Sequence, residues 1–129
     1  MKFEHSAMQV SNLDAAIEFY TEKLGFRHLS TEVSEQNNIR YAFLDLNGAK
    51  IELLEDLKGR FTKPNVSEPY CPHYCIEVEN MDAAIRNLNA NCIDIVSGPI
   101  ACAEGEILVY FTDPDNNIFE YIQYLHEEK

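Results

Sequence analysis

The stretch Glu4-His5-Ser6-Ala7-Met8-Gln9-Val10-Ser11-Asn12-Leu13-Asp14-Ala15-Ala16-Ile17 has a counterpart in Pro72-His73-Tyr74-Cys75-Ile76-Glu77-Val78-Glu79-Asn80-Met81-Asp82-Ala83-Ala84-Ile85, with His5 falling on His73, a shift of 68. Asn, Asp, Ala, Ala and Ile recur in place. The same shift, carried on without a gap, puts Ile39 on Ile107, Phe43 on Phe111, Asp45 on Asp113 and Glu52 on Glu120. A unit this long that occurs only twice is no solenoid; it reads as two copies of one supersecondary unit packed face to face.

Each copy has the same grammar. Residues 2–10 mix β-branched, aromatic and polar residues in near alternation, as a half-buried strand does. The period then changes. Leu13, Ala16, Ile17, Tyr20 and Leu24 make one apolar helical stripe, opened by Ser11 with Asp14 three residues later and closed by Gly25. Met81, Ala84, Ile85, Leu88 and Cys92 repeat it. Strands follow near 26–34, 38–46 and 49–56, the last two joined by Asn47-Gly48, a pair that supplies the positive φ angles of a tight hairpin. Their counterparts lie near 94–98, 106–113 and 117–124, with Asp113-Pro114-Asp115-Asn116 as the matching turn. The expected organisation is α+β, one domain over 1–129: a βαβββ module at 1–56, a connection at 57–70 carrying Gly59, Pro64 and Pro69, and a second module at 71–129.

Composition limits what such a domain can do. The chain has 129 residues, 46% apolar and 25% charged, enough for one ordinary core. Ten basic against 22 acidic residues leave a net charge of −12, which repels phosphate backbones and anionic lipid and argues against nucleic-acid and membrane partners. No run approaches the roughly 20 apolar residues of a membrane helix, and the first residues lack the apolar centre of a secretory signal, so the expected location is cytoplasmic. Cys71, Cys75, Cys92 and Cys102 form no CxxC pair and are expected as reduced thiols, with Cys71 and Cys75 as small core residues of their strand.

Two histidines and two glutamates carry the chemistry. His5 and His73 sit on the first strand of each copy, Glu52 and Glu120 on the last, so the repeat relates all four. Imidazole nitrogen and carboxylate oxygen together suit a divalent transition metal, and zinc, nickel, cobalt, manganese and iron all accept that set. Glu52 and Glu120 also interrupt apolar strands, where an ionised carboxylate costs several kcal/mol unless a cation or water compensates it. Alternation places Phe3, Ala7 and Gln9 on the face of His5, Cys71, Cys75 and Glu77 on that of His73, Lys50 and Leu54 on that of Glu52, and Ile118 and Ile122 on that of Glu120. Ile51 and Leu53 are left to pack under the helix. Tyr20, Phe19, Phe26 and Phe43 fall on stripes needed for packing, while His28 and His126 look incidental.

With these residues in view the chain resembles the vicinal-oxygen-chelate superfamily of glyoxalases, bleomycin-resistance proteins and dioxygenases. The resemblance spans nearly the whole chain and is carried by His5, by Leu13-Asp14-Ala15-Ala16-Ile17-Glu18-Phe19-Tyr20 running into Leu24-Gly25-Phe26, by Ile51-Glu52-Leu53, by His73, and by Phe111 to Glu120. It implies paired βαβββ modules forming a curved, partly open mixed sheet around one divalent metal held by His5, Glu52, His73 and Glu120, and a homodimer. The full His, Glu, His, Glu set looks most like bacterial glyoxalase I. It implies a lyase of the lactoylglutathione type, in which the hemithioacetal of methylglyoxal and a thiol isomerises to a thioester through an enediolate at the metal. Glu120 is the preferred base, by analogy with the family, with Glu52 as the second carboxylate.

The substrate side is less familiar. The family presents basic residues to the carboxylates of glutathione, one of them four positions after the first histidine; Gln9 and Glu77 stand there in this chain. The cations left near the cavity are Lys50 and Arg40, of which Lys50 could equally neutralise Glu52 as an intrasheet pair. Gln9, Lys50, Glu77 and Arg40 are the expected substrate contacts. Other readings are a non-catalytic drug-binding protein of the bleomycin-resistance kind, an acyl-CoA epimerase, a thiol transferase and an extradiol dioxygenase.

Overall fold

A computed structural model describes residues 1–125, and these fall into two compact units that divide after Pro64. The first unit runs β1 (Ser6–Val10), α1 (Leu13–Glu18), a π-helical segment (Phe19–Lys23), β2 (Arg27–Ser34), β3 (Ile39–Leu46) and β4 (Ala49–Asp56). The second runs β5 (His73–Glu77), α2 (Met81–Ala90), β6 (Ile95–Ala101), β7 (Glu106–Thr112) and β8 (Ile118–Tyr124). Each is a βαβββ module with an open four-stranded mixed sheet, in the orders β1-β4-β3-β2 and β5-β8-β7-β6. The first strand pairs in parallel with the last, and the last is antiparallel to the one before it. The first strand is shorter than expected, so His5 precedes β1 whereas His73 opens β5.

One side of each sheet carries its helix. In the first unit Met8, Val10, Ala42, Leu44, Ile51 and Leu53 are buried with Leu13, Ala16, Tyr20 and Phe26, the Tyr20 hydroxyl donating to the Met8 sulfur at 3.1 Å. In the second, Leu88, Ile93, Val109, Phe111, Phe119 and Tyr121 serve the same purpose. The helix caps are Asn12 and Asn80 rather than Ser11, their side chains accepting from Ala15 N–H at 3.0 Å and Ala83 N–H at 2.9 Å. A second latch was not foreseen. The Leu13 N–H donates to Glu55 Oε1 at 3.0 Å and the Met81 N–H to Gln123 Oε1 at 2.6 Å, so a side chain of the last strand satisfies one of the first free donors of each helix.

The single shift of 68 does not hold throughout. It relates Tyr20 to Leu88, but the positive-φ residue that ends the helix is Gly25 (φ 82°) in one module and Cys92 (φ 58°) in the other, 67 apart. The closing bonds, Phe26 N–H to the Tyr20 carbonyl and Ile93 N–H to the Leu88 carbonyl, are both 2.9 Å, so the π-helical turn absorbs one extra residue in the first module. Cys92 is accordingly an exposed turn residue and no member of the apolar stripe. The shift stays at 67 through β3 and β7 and returns to 68 in β4 and β8, because Leu44 faces Ile51 whereas Phe111 faces Phe119. The hairpin of the second module is one residue longer. Asp113, 3% exposed, holds it by accepting from the Asp115 N–H, the Asn117 N–H and the Asn117 side-chain amide at 2.8 to 2.9 Å.

Candidate metal centre and its surroundings

The face of each sheet away from the helix brings one histidine to one glutamate. Parallel pairing sets Ala7 opposite Glu52 and Cys75 opposite Glu120, which places His5 and His73 beside those carboxylates. His5 Nε2 lies 3.2 Å from Glu52 Oε1, and His73 Nε2 lies 2.9 Å from Glu120 Oε1. An aromatic ring packs edge-on to each imidazole: Phe43 on His5, centroids 5.1 Å apart, and Tyr110 on His73, 5.4 Å apart. Phe43 thus belongs to the site face and not to the core. Its true counterpart is Tyr110, which the ungapped repeat had hidden behind Phe111.

The other imidazole nitrogen is held in both modules, by different means. His5 Nδ1 sits 2.7 Å from Glu4 Oε1, and His73 Nδ1 donates to the Tyr70 carbonyl at 2.7 Å. An acceptor at Nδ1 fixes the proton there and turns the Nε2 lone pair towards the glutamate. In the neutral ring that lone pair faces carboxylate oxygen, an arrangement that needs a cation or a shared proton between the two. Two donors at about 2.1 Å from one metal, at right angles, stand about 3.0 Å apart, so both pairs have the spacing of neighbouring ligands. Glu120 is only 7% exposed, which makes the need for compensation greatest there. Imidazole nitrogen and carboxylate oxygen, with each Nδ1 held by an acceptor, fit a divalent transition metal. Among the described residues no group of three or more His, Cys, Asp or Glu side chains gathers, so each module offers two donors.

The neighbours depart from expectation in several places. Lys50 does not neutralise Glu52; its ammonium pairs with Glu4 at 2.8 Å and lies 5.0 Å from the Phe43 ring centroid. Lys50 and then His5 hold the Glu4 carboxyl below its ordinary value. Arg40 lies on the opposite face of β3, in register with the buried Ala42 and Leu44, and binds Asp14 at 2.8 Å; it is not a substrate contact. Each raises the other's tendency to stay charged, the Asp14 carboxyl being lowered and the Arg40 guanidinium raised. Gln9 and Glu77 are exposed on the site face of β1 and β5. Cys71 and Cys75 are exposed rather than core. Burial of the thiol, then the charge of Glu120 and a hydrogen bond to it, push Cys75 up to about 12, so it stays a neutral thiol beside that carboxylate. His126 lies outside the described residues.

A cavity of about 300 Å³ opens beside His73 in the second unit, lined by Glu68, Tyr70, Cys71, Ser97 and Tyr110 among others. The Tyr70 and Tyr110 rings pack obliquely against each other, centroids 5.0 Å apart. Burial, then the charge of Glu120, raises the Tyr110 hydroxyl and keeps it protonated. None of Glu68, Tyr70 and Tyr110 could be singled out from the repeat, because the first two precede β5 and the third is shifted by the π-helical turn.

The chain thus consists of two βαβββ modules, each with a histidine and a glutamate meeting on the open face of its sheet. The chain belongs to the glyoxalase/bleomycin resistance protein/dioxygenase superfamily, whose family model matches residues 2–121. It is 25% identical over 126 residues to a lactoylglutathione lyase of Arabidopsis thaliana, an alignment covering 95% of this chain and 44% of that protein. The chain therefore spans less than half of that relative. It is 28% identical over 121 residues to the mitochondrial methylmalonyl-CoA epimerase of Homo sapiens, covering 88% of this chain and 68% of that one. Among solved structures, a glyoxalase family protein of Enterococcus faecalis superposes with a TM-score of 0.79 at 27% identity, covering 94% of this chain and 96% of that chain. No helix among the described residues is long and apolar enough to cross a membrane.

Proposed function

We propose that the protein is a metal-dependent isomerase of the glyoxalase I type, acting on the hemithioacetal of methylglyoxal and a small thiol. The observation that carries this reading is the recurrence, in both modules, of a histidine whose Nδ1 is held by an acceptor and whose Nε2 meets a glutamate at 3.2 and 2.9 Å. His5 with Glu52, and His73 with Glu120, are the residues that would hold a divalent cation, which when bound supplies electrophilic stabilisation to two adjacent substrate oxygens. The relatives named a lactoylglutathione lyase and an epimerase agree with chemistry that moves a proton at a carbon next to a carbonyl.

The chain's own residues supply the proton transfer. Glu120 is the base: its carboxylate takes the proton from the carbon bearing sulfur and hydroxyl and delivers it to the neighbouring carbonyl carbon, while the proton of the first carbon's hydroxyl passes to the oxygen of that carbonyl, so that the first carbon becomes the thioester carbonyl and the second bears the new hydroxyl. His73 orients the Glu120 carboxylate, and the neutral Cys75 thiol donates to it. Glu52 is the second carboxylate. Gln9, Lys50 and Glu77 lie on the faces where the substrate would be met, and the working form is a homodimer. The test is metal analysis of the purified protein followed by thioester formation from methylglyoxal with a panel of thiols. Stoichiometric divalent metal and metal-dependent turnover are expected; equal inertness of the apo and loaded protein towards every thiol would remove the reading.

A further inference from the structure

The cavity beside His73 says which thiol the site would take, an inference that rests on the isomerase reading for its setting. A glutathione adduct must present two carboxylates to the protein, and carboxylates in a partly buried site call for guanidinium or ammonium partners. None of the lining residues is a lysine or an arginine. Of the two cations expected to meet the substrate, Lys50 is paired with Glu4, and Arg40 with Asp14 on the far face of its sheet. What the cavity does offer is an acidic residue, Glu68, in its lining, together with Tyr70 and Tyr110, whose ring centroids are 5.0 Å apart. Ring faces and a carboxylate attract an ammonium group, and the net charge of −12 draws cations towards the protein and repels anions. About 300 Å³ is ample for a short aminoalkyl chain.

We infer that the Glu68–Tyr70–Tyr110 cavity is the subsite for the thiol part of the substrate, and that it selects a small thiol bearing an ammonium group over one bearing carboxylates. The ammonium lies against the Tyr70 and Tyr110 rings with Glu68 as counter-ion, and the sulfur end points to His73.

The test is calorimetric binding of three non-reacting thioethers to the full-length protein, with and without divalent metal. They are S-benzylcysteamine, its N-acetyl derivative and S-benzylglutathione. The ammonium ligand is expected to bind at least about fivefold more tightly than the acetylated one, with the glutathione derivative weakest, and added salt should narrow the gap. Glu68→Lys, a change at an exposed position, should reverse the order of the ammonium and glutathione ligands. Equal affinity for the ammonium and acetylated ligands, or an unchanged order in the Glu68→Lys protein, overturns the inference. Turnover assays separate the two claims. Preference for the ammonium ligand without turnover of any methylglyoxal adduct removes the isomerase and leaves the subsite, whereas turnover with glutathione preferred removes the subsite and leaves the isomerase.

Discussion

His73 donates its Nδ1 proton to the Tyr70 carbonyl and so presents the Nε2 lone pair to Glu120, 2.9 Å away and almost fully buried. Glu120→Gln keeps the shape and offers an amide N–H to that lone pair, but removes the charge that a metal and a proton transfer both require. Metal affinity should fall at least about 100-fold, since even outer-shell partners are worth 10- to 100-fold. With metal in excess, kcat should fall about 10²- to 10⁴-fold while the melting temperature changes little. Glu52→Gln should weaken metal binding comparably yet retain more of kcat at saturating metal, if Glu120 is the base. Metal titration and steady-state kinetics on both variants check the assignment, and the reverse ranking would give the proton to Glu52.

The two histidine–glutamate pairs were legible in the sequence because the repeat marked them and because a carboxylate in an apolar strand demands an explanation. Their ring partners were only half legible. Phe43 was visible but read as core, and Tyr110 was concealed by one extra residue in each of two places, the π-helical turn of the first module and the hairpin of the second. The two insertions cancel between the ends of the repeat, so the flanking matches hold while β3 and β7 are misaligned by one position. A slip of one residue in a strand exchanges its two faces, which is why the error fell on a site residue. Arg40 was misplaced for a related reason: no alternation was traced through β3, although Ala42 and Leu44 marked its buried side.

Asp14 and Arg40 tie the first turn of α1 to β3 at 2.8 Å, and the guanidinium lowers the Asp14 carboxyl. A depressed carboxyl adds stability that is present above its unfolded value of 3.8 and is lost as pH falls through the lower, folded value. Asp14→Asn should therefore lower the melting temperature slightly at pH 7, the effect being small because the pair is solvent-facing, and the gap to the parent protein should close below about pH 4. Thermal melts of both proteins from pH 7 to pH 3 check this. A gap that widens on acidification would contradict the pairing.

Asp113 accepts three hydrogen bonds while almost wholly buried, and it closes the longer hairpin that delivers Glu120 on β8. Asp113→Ala strands two backbone donors and an amide, at a cost of about 2–3 kcal/mol. Chemical denaturation measures that loss. The displaced hairpin should also weaken metal binding, although residue 113 touches no metal donor, and that second readout separates a local effect on β8 from general destabilisation.

Glu55 and Gln123, 68 positions apart, perform one task with different charge: each accepts the leading N–H of its module's helix, from Leu13 at 3.0 Å and Met81 at 2.6 Å. The amide in the second module shows that hydrogen-bond acceptance suffices, whereas in the first the carboxylate also meets the positive end of a helix and stands 3.9 Å from Arg40. Glu55→Gln should accordingly cost only a few tenths of a kcal/mol, the share owed to charge. Glu55→Ala and Gln123→Ala should each cost about 1 kcal/mol, the usual value of a lost helix cap. The latches lie on separate modules and share no partners, so the double alanine variant should lose the sum of the two. Denaturant midpoints at constant slope test all four proteins. A Glu55→Gln cost equal to that of Glu55→Ala would show that charge, and not the hydrogen bond, holds the helix to the last strand.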